Sequence, residues 1–180
     1  MLIQKQAILA KEEATYGVDA VPVPGTDAIT CSQVSYTLLS DTEDFEFTNS
    51  GYMGNRSGGM NNYVLGATIN FRTLMRGEGQ ALGVAPEIGK LFKACNSDET
   101  VTASTDVAYK PNSKFFSDDS ATSLTIYFYQ DKILHKILGA RGNPVISGVA
   151  GRAVFIDWAF TGLYVSAAAD TTPDFAVNKL

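Results

Sequence analysis

Residues 63–75 constrain the fold more than any other segment, because apolar and polar side chains alternate along their whole length. A period of two predicts a β-strand with one face buried against a core. Such a strand is about twice as long as the ~5–6 residues typical of globular proteins. Its predicted apolar face consists of Tyr63, Leu65, Ala67, Ile69, Phe71, Thr73 and Met75.

Further strands are predicted along the chain. Residues 152–165 form a second long alternating segment, residues 28–39 alternate less regularly, and residues 123–129 and 133–138 flank a turn typical of a hairpin. Hydrophobic residues make up 45% of the 180 residues and charged residues only 18%. A sizeable core can therefore form, and we expect one mainly β domain over residues 28–165.

One helix is predicted at about residues 85–96. Pro86 suits the first helical turn, and Asn96 is a plausible stop. Between them an apolar stripe recurs with helical spacing, so the helix should lie against the sheet. The stripe consists of Ile88, Leu91, Phe92 and Cys95.

The remaining segments are predicted to lack regular structure. Residues 1–27 are interpreted as an N-terminal arm, because two prolines within three residues forbid a central strand. Residues 166–180 are interpreted as a C-terminal arm. Residues 40–62 are polar and end in a stretch rich in Gly and Asn, which predicts a long loop. A loop of that size inside a compact domain usually has a function.

No pattern of catalytic residues stands out. His135 is the only histidine, and no serine-hydrolase elbow, zinc-protease or phosphate-loop motif is present. A half-buried strand position explains His135 better than a catalytic role. The acidic residues at 41–46 lack the spacing of an EF-hand, so a solvated segment is favoured over a calcium site. We therefore predict a protein that is not an enzyme and has no metal or cofactor.

Cysteine spacing and net charge argue against further kinds of site and further classes of protein. Cys31 and Cys95 lie far apart without a zinc-ligand pattern, which favours two reduced thiols. The net charge is −5 and no basic run occurs, which argues against a protein that grips nucleic acid. No signal peptide or apolar membrane-spanning segment is recognisable, so a soluble protein is expected.

The two long strands, each with one apolar face, would leave backbone hydrogen-bonding groups unpaired wherever they lie at the edge of a sheet. An unpaired edge is a template for aggregation, and a closed ring of identical subunits removes it. The residues alone therefore predict a self-assembling β ring.

Four segments in order resemble those of one family. They are ILAKEEATYGVD at 8–19, PEIGKLFKAC at 86–95, SLTIYFYQDKILHKILGARG at 123–142 and FTGLY at 160–164. Together they are similar to motifs of the tail tube, or major tail, proteins of bacteriophages with long non-contractile tails. The chain departs from those motifs at the Asp131-Lys132 turn and at Asn96, where the family usually has Gly.

This resemblance implies a β-sandwich or barrel-like tail tube fold with one flanking helix. It implies a structural subunit of the virion, made in the bacterial cytoplasm, that forms homohexameric rings. The rings would stack into a hollow tube around a tape measure protein, between a tail terminator and baseplate or tip proteins. DNA would pass through the lumen without specific binding, and the family has no catalytic residues or cofactor.

The resemblance turns the two long strands, 63–75 and 152–165, into candidates for the inner barrel. The polar side of the first strand would face the lumen, with Thr68, Asn70 and Arg72. An acidic or neutral lumen would let DNA slide, since fixed positive charge holds phosphates. We therefore expect Arg72 to pair with an acidic residue of a neighbouring subunit.

Contacts between rings and between subunits are assigned to the predicted loop and arm. The inter-ring candidates are Asp41, Glu43, Asp44, Glu46, Tyr52 and Arg56. The candidates for bridging subunits through the N-terminal arm are Leu9, Lys11 and Tyr16.

Two other interpretations remain open. The chain could be a tail terminator or tube initiator, which caps the tube and does not polymerise. From a different class, it could be a carbohydrate-binding β-sandwich with a stacking platform of Trp158, Tyr127 and Tyr129. Because Trp158 lies on a strand face with apolar neighbours, a core position is favoured over a platform.

Deleting residues 50–60 tests the assignment of the predicted loop to ring stacking. We expect the variant to form rings but no tubes, because the predicted ring-to-ring contact would be lost while the strands predicted at 28–39 and 63–75 remain. Negative-stain electron microscopy distinguishes the two forms. Tubes of normal length from the deletion variant would rule this assignment out.

Overall fold

The architecture comes from a computed structural model that describes residues 6–47, 57–77, 82–112 and 121–169. The fold is mainly β, as predicted, with two short helices. The helices are α1 (Pro24–Asp27) and α2 (Gly89–Ala94). The strands are β1 (Gln6–Glu12), β2 (Ala28–Ile29), β3 (Ser32–Phe47), β4 (Ser57–Leu74), β5 (Ser97–Thr102), β6 (Asp106–Pro111), β7 (Leu124–Gln130), β8 (Ile133–Ser147) and β9 (Phe155–Ala169).

Seven strands form one antiparallel sheet in the order β2-β1-β7-β8-β9-β4-β3, and β5 and β6 form a separate hairpin. The long pair β8 and β9 connects the two halves of this sheet. The first half of β8 also pairs with β7, whereas the first half of β9 also pairs with β4. Strands β2, β1 and β7 therefore form one wing with β8, and β3 and β4 form the other wing with β9.

The two wings face each other across a common core. Ile126 and Phe128 of one wing share a buried cluster with Phe71 and Trp158 of the other. Tyr36 on β3 brings the far edge into the same core, with its ring centroid 6.1 Å from that of Phe128. The sheet is thus folded back on itself as a sandwich, which agrees with the predicted sandwich or barrel-like fold.

The fold-back occurs where β8 and β9 change register, between Leu138 and Arg141 of β8. Opposite this irregularity, β9 has Gly162. A methyl group added at Gly162 would lie 2.6 Å from the carbonyl oxygen of Leu138 and 3.0 Å from the Cα of Ala140. Only glycine permits the backbones to approach this closely at the bend.

Helix α2 is shorter than predicted but lies where the stripe placed it. It begins at Gly89, because the preceding residues form a turn in which the Gly89 N–H donates to the Pro86 carbonyl. Leu91 is fully buried, and Phe92 packs edge-on against Trp158 with centroids 4.9 Å apart. Asn96 follows with φ +60°, a left-handed conformation that Asn tolerates and that ends helices.

The N-terminal segment differs from the predicted arm. Strand β1 pairs with β7 over its whole length, and Ile8, Leu9 and Ala10 are all buried. Ile8 contributes to the main core, whereas Leu9 belongs to a second cluster with Tyr127 and Leu134. A strand buried on both faces shows no alternation, so sequence periodicity could not reveal it.

The predicted loop at 40–62 also differs, since residues 40–47 and 57–62 are strand. A hairpin satisfies its backbone hydrogen bonds internally, so it needs no apolar face to form strands. At the other end, β9 extends to Ala169, into the segment predicted as a C-terminal arm. Residues 170–180 lie outside the described part of the chain.

The close approach at the bend predicts a marked effect of Gly162→Ala. We expect the free energy of unfolding to fall by about 1–3 kcal/mol, because the added methyl group collides with the backbone of β8. Gly77→Ala is the matched control, since nothing lies within 4 Å of its added methyl group. Urea denaturation measures both variants, and equal effects would contradict the role of the bend.

Candidate assembly and channel surfaces

The outer side of the second wing carries mostly polar side chains. Because residues paired in register point to the same side of a sheet, the register of β3, β4, β9 and β8 aligns them in rows. We call this surface the polar face and define it by Ser35, Thr37, Thr68, Asn70, Arg72, Asp157, Ala159, Thr161, Arg141, Asn143 and Val145. All of them are exposed or half-exposed, while the opposite side of the same strands forms the core.

Short uncharged side chains occupy the middle of the polar face. The hydroxyl oxygens of Thr68 and Thr161 lie 3.2 Å apart and share a hydrogen bond. The next row combines Ser35, Asn70 and Ala159, all exposed. The predicted lumen residues Thr68, Asn70 and Arg72 therefore share one surface, and neighbouring strands extend it.

Arg72 makes a two-pronged ion pair with Asp157, its direct partner across β4 and β9. Its Nε lies 2.6 Å from Oδ1 of Asp157, and its Nη2 lies 2.9 Å from Oδ2. These hydrogen bonds raise the pKa of Arg72 and lower the pKa of Asp157. The expected partner in a neighbouring subunit is thus wrong, since the carboxylate comes from the same chain. Sequence alone could not show this, because it does not fix the register between distant strands.

The second arginine of the polar face is also engaged. The Arg141 guanidinium lies 4.9 Å from the centroid of the Tyr16 ring and donates a hydrogen bond to the Ala121 carbonyl. Tyr16, a predicted bridging residue, is itself 56% exposed. An aromatic ring over a guanidinium shields its charge and adds a cation–π attraction.

A two-stranded ribbon projects beyond the sheet. Pairing of β4 with β9 ends at Ala67, whereas β4 and β3 continue to pair as far as Ser57 and Phe47. At about 3.3 Å per residue, the part of β4 from Ser57 to Gly66 extends about 33 Å. An isolated two-stranded ribbon is at best marginally stable in water. A partner that covered the ribbon would therefore stabilise it.

A β-bulge at the base of the ribbon changes which side chains share a face. The register shifts between Leu39 and Ser40, so Leu65 has no direct partner and is 66% exposed. Residues 67–73 keep the predicted buried alternation. Tyr63 and Leu65 do not continue it, because one extra residue moves the following side chains to the other face.

Some of the predicted inter-ring candidates lie on this ribbon. Asp41 and Glu43 are exposed, and by the alternation of β3 they continue the side of Ser35 and Thr37. The Tyr63 hydroxyl donates to Oδ2 of Asp41 over 3.2 Å. Asp44 and Glu46 also belong to β3, whereas the loop candidates Tyr52 and Arg56 lie outside the described residues.

Several strand edges have no partner strand in the described parts of the chain. These are the outer edge of β3, the ribbon edge of β4 that faces away from β3, the second half of β8 away from β9, and the end of β9 away from β8. Each exposes backbone donors and acceptors that another strand could satisfy. The second wing thus has free edges on both of its sides.

Residues 13–23 lie over the outside of the first wing, held by two carboxylates that sequence reasoning missed. Glu13 accepts hydrogen bonds from the backbone N–H groups of Gly17 and Gly139. It also accepts hydrogen bonds from the hydroxyl groups of Ser123 and Thr125. The only available signal was that both carboxylates, Glu13 and Asp19, belong to the ILAKEEATYGVD motif. Of the predicted bridging residues, Leu9 is buried in its own subunit and Lys11 is half-buried.

Asp19 is the second of these carboxylates. It accepts a hydrogen bond from the Tyr127 hydroxyl at 2.6 Å and forms an ion pair with Lys136 at 3.0 Å. Burial alone would raise the pKa of Asp19, but the hydrogen bonds from Tyr127, the Val21 N–H and Lys136 outweigh it and lower the pKa. Tyr127 is thereby occupied inside the protein.

The residues weighed for other functions have structural positions. Trp158 is buried and its indole N–H donates to Thr73 over 2.8 Å, so it cannot be a carbohydrate platform. His135 packs against Tyr36 and Phe128, and desolvation lowers its pKa. Burial raises the pKa of the free thiols Cys31 and Cys95 to about 12.

The described residues contain no group of three or more His, Cys, Asp or Glu side chains placed to hold a metal ion. None of the helices among them is long and apolar enough to span a membrane.

Comparison with known proteins gives similarity in structure only. No protein-family model matches the chain, and no curated protein matches it in sequence. One similar structure is a chain of the sheath–tube complex of an extracellular contractile injection system, PVC, in its extended state. It is 11% identical, with a TM-score of 0.48, over 90% of this chain and 88% of the other.

A second similar structure is the tube-terminating cap of the anti-feeding prophage. It is 7% identical, with a TM-score of 0.45, over 92% of this chain and 88% of the other. Since both TM-scores are below 0.5, the function proposed below rests on the geometry and motifs of this chain.

Replacing Glu13 tests the attachment of residues 13–23. We expect Glu13→Ala to lower the free energy of unfolding by about 2–3 kcal/mol, because it leaves several partly buried donors without their acceptor. Glu43→Ala on the exposed ribbon is the control, with an expected change within about 0.5 kcal/mol. Chemical denaturation followed by tryptophan fluorescence measures both, and equal stabilities would show that Glu13 holds nothing in place.

Proposed function

We propose that this chain is the structural subunit of a bacteriophage tail tube, built from stacked hexameric rings through which DNA is delivered. The proposal rests on the structure of the second wing. It has a polar outer face, free strand edges on both sides and a projecting ribbon. A non-contractile tail and a ring order of six rest on the motif resemblance alone.

Free edges support assembly with further copies of the same chain. In a closed ring, the strand edges on one side of each second wing would pair with the strand edges on the opposite side of the second wing in the neighbouring subunit. Every subunit then satisfies its backbone groups, and no edge remains to recruit further strands. Exposed apolar side chains near those edges favour the same arrangement, among them Leu39, Leu65 and Leu163.

The chemistry of the polar face supports its placement toward the lumen. Hydroxyl, amide and methyl groups offer phosphates no fixed positive charge, and both arginines are engaged within the subunit. DNA binds proteins largely by releasing counterions to Lys and Arg, so this surface would let it slide. The core and helix α2 lie on the other side of the sheet and would face outward.

The ribbon fits a contact with the next ring. It projects from the wing and carries Asp41 and Glu43 on exposed positions, while residues 48–56 connect its two strands. Stacking would cover a ribbon that is marginally stable by itself. The tape measure protein, the terminator and the baseplate or tip proteins are the further partners that the motif resemblance suggests.

Purified protein tests the proposal directly. We expect size-exclusion chromatography with light scattering to show multimers, and negative-stain electron microscopy to show hollow tubes. Discrete rings that never stack would instead identify a terminator or tube initiator. A monomer at all concentrations would overturn both assignments.

A point variant separates assembly from folding. We expect Leu65→Glu to abolish rings while leaving the melting temperature of the monomer nearly unchanged, because the side chain is 66% exposed at the base of the ribbon. Leu82→Glu is the matched control, since Leu82 is 73% exposed beside helix α2, on the proposed outer surface. Light scattering measures the assembly state of both variants. Normal assembly of Leu65→Glu would count against an interface at the ribbon.

A further inference from the structure

Arg72 poses a problem for a channel wall. Its side chain is 33% exposed, and it lies next to the uncharged row of Ser35, Asn70 and Ala159 at the proposed lumen surface. A ring of identical subunits would repeat this cation once per subunit at the same height. Several weak phosphate contacts made together hold a polyanion far more tightly than one. Such a belt would retain DNA unless each charge were cancelled locally.

Asp157 meets the geometric requirements for that cancellation. It is the register partner of Arg72, and both of its oxygens accept hydrogen bonds from the guanidinium at 2.6 and 2.9 Å. The Asp157 carboxylate thereby accepts from the two N–H donors through which the planar guanidinium would otherwise bind a phosphate. The Asp157 side chain is 40% exposed, so the ion pair lies at the surface and not in the core.

The same guanidinium lies 5.7 Å from the centroid of the Phe155 ring, which further fixes its position on the face. The other arginine, Arg141, is held by Tyr16 and Ala121. Of the two arginines on the polar face, Arg72 is the one whose charge a carboxylate balances directly. That carboxylate belongs to Asp157.

We propose that Asp157 is the charge-cancelling residue of the channel, whose carboxylate prevents Arg72 from binding the phosphates of transiting DNA. The inference rests on the proposed function and assigns to one residue the property that lets DNA slide. It also explains why a cation is tolerated at this position: the pair joins β4 to β9 without adding net charge.

Assembled tubes of four proteins test the inference, with fluorescent DNA oligonucleotides as the probe. They are the wild type, Asp157→Asn, the double variant Arg72→Gln/Asp157→Asn, and Asp106→Asn. Asp157→Asn keeps the shape of the side chain but removes its charge. Asp106→Asn removes one charge from the exposed β6 strand, away from the polar face. Electron microscopy first establishes that each protein forms tubes, and co-sedimentation then measures retained DNA.

We expect Asp157→Asn tubes to retain about tenfold more DNA than wild-type tubes at about 50 mM salt, with most of the gain lost at about 200 mM. The double variant and Asp106→Asn should match the wild type. Wild-type retention by Asp157→Asn tubes would overturn the inference and leave the proposed function intact. A gain that the double variant does not reverse would also overturn it.

A second variant covers a failure of the first to assemble. Asp157→Ser places a hydroxyl group like those of Thr68 and Thr161 in the same position, and the same tenfold gain is expected. If neither variant forms tubes, Asp157 serves the structure and not the channel, which overturns the inference. If the wild type forms no tubes, the proposed function fails and the inference fails with it.

Discussion

The ladder between β8 and β9, which persists across two register shifts, is the central interaction of the fold. These two strands belong to both wings, so their hydrogen bonds hold the halves of the sandwich in one sheet. The bend at Gly162 lets that sheet fold over its own core, with Trp158 and Phe160 inside. Without the close approach there, the wings could not share a core.

The same bend creates the surfaces proposed for assembly. Because β4 pairs with β9 only from Ala67 onward, the end of β9 and the ribbon each keep an edge that has no partner strand among the described residues. A monomer would have to protect such edges, whereas a ring uses them. The fold therefore concentrates its buried apolar side chains in the core around Trp158 and leaves edges of its second wing without a partner strand among the described residues.

Electrostatics on the polar face follows from register. Arg72 and Asp157 lie 85 residues apart in the chain, and they meet because β4 and β9 pair with one particular offset. A shift of one residue would place Asp157 in the core and leave Arg72 without its carboxylate. The register that packs Trp158 inside therefore also neutralises the outer face, so folding and the proposed channel chemistry depend on one constraint.

Elements whose pattern is local could be predicted from the amino-acid sequence. Alternation at residues 67–73, the β7–β8 hairpin, the helical stripe ending at Asn96 and the buried position of Trp158 were all predicted, because each depends on spacing within a few residues. The placement of β1, the strand pairing of residues 40–47 with 57–62 and the partner of Arg72 depend on the tertiary structure. Strand β1 is buried on both faces, whereas the ribbon side chains at 40–43 and 62–65 are all exposed, so neither shows the one-sided alternation that marks a strand. The pairing of Arg72 with Asp157 required the register between two strands far apart in the chain, which only the packed core fixes.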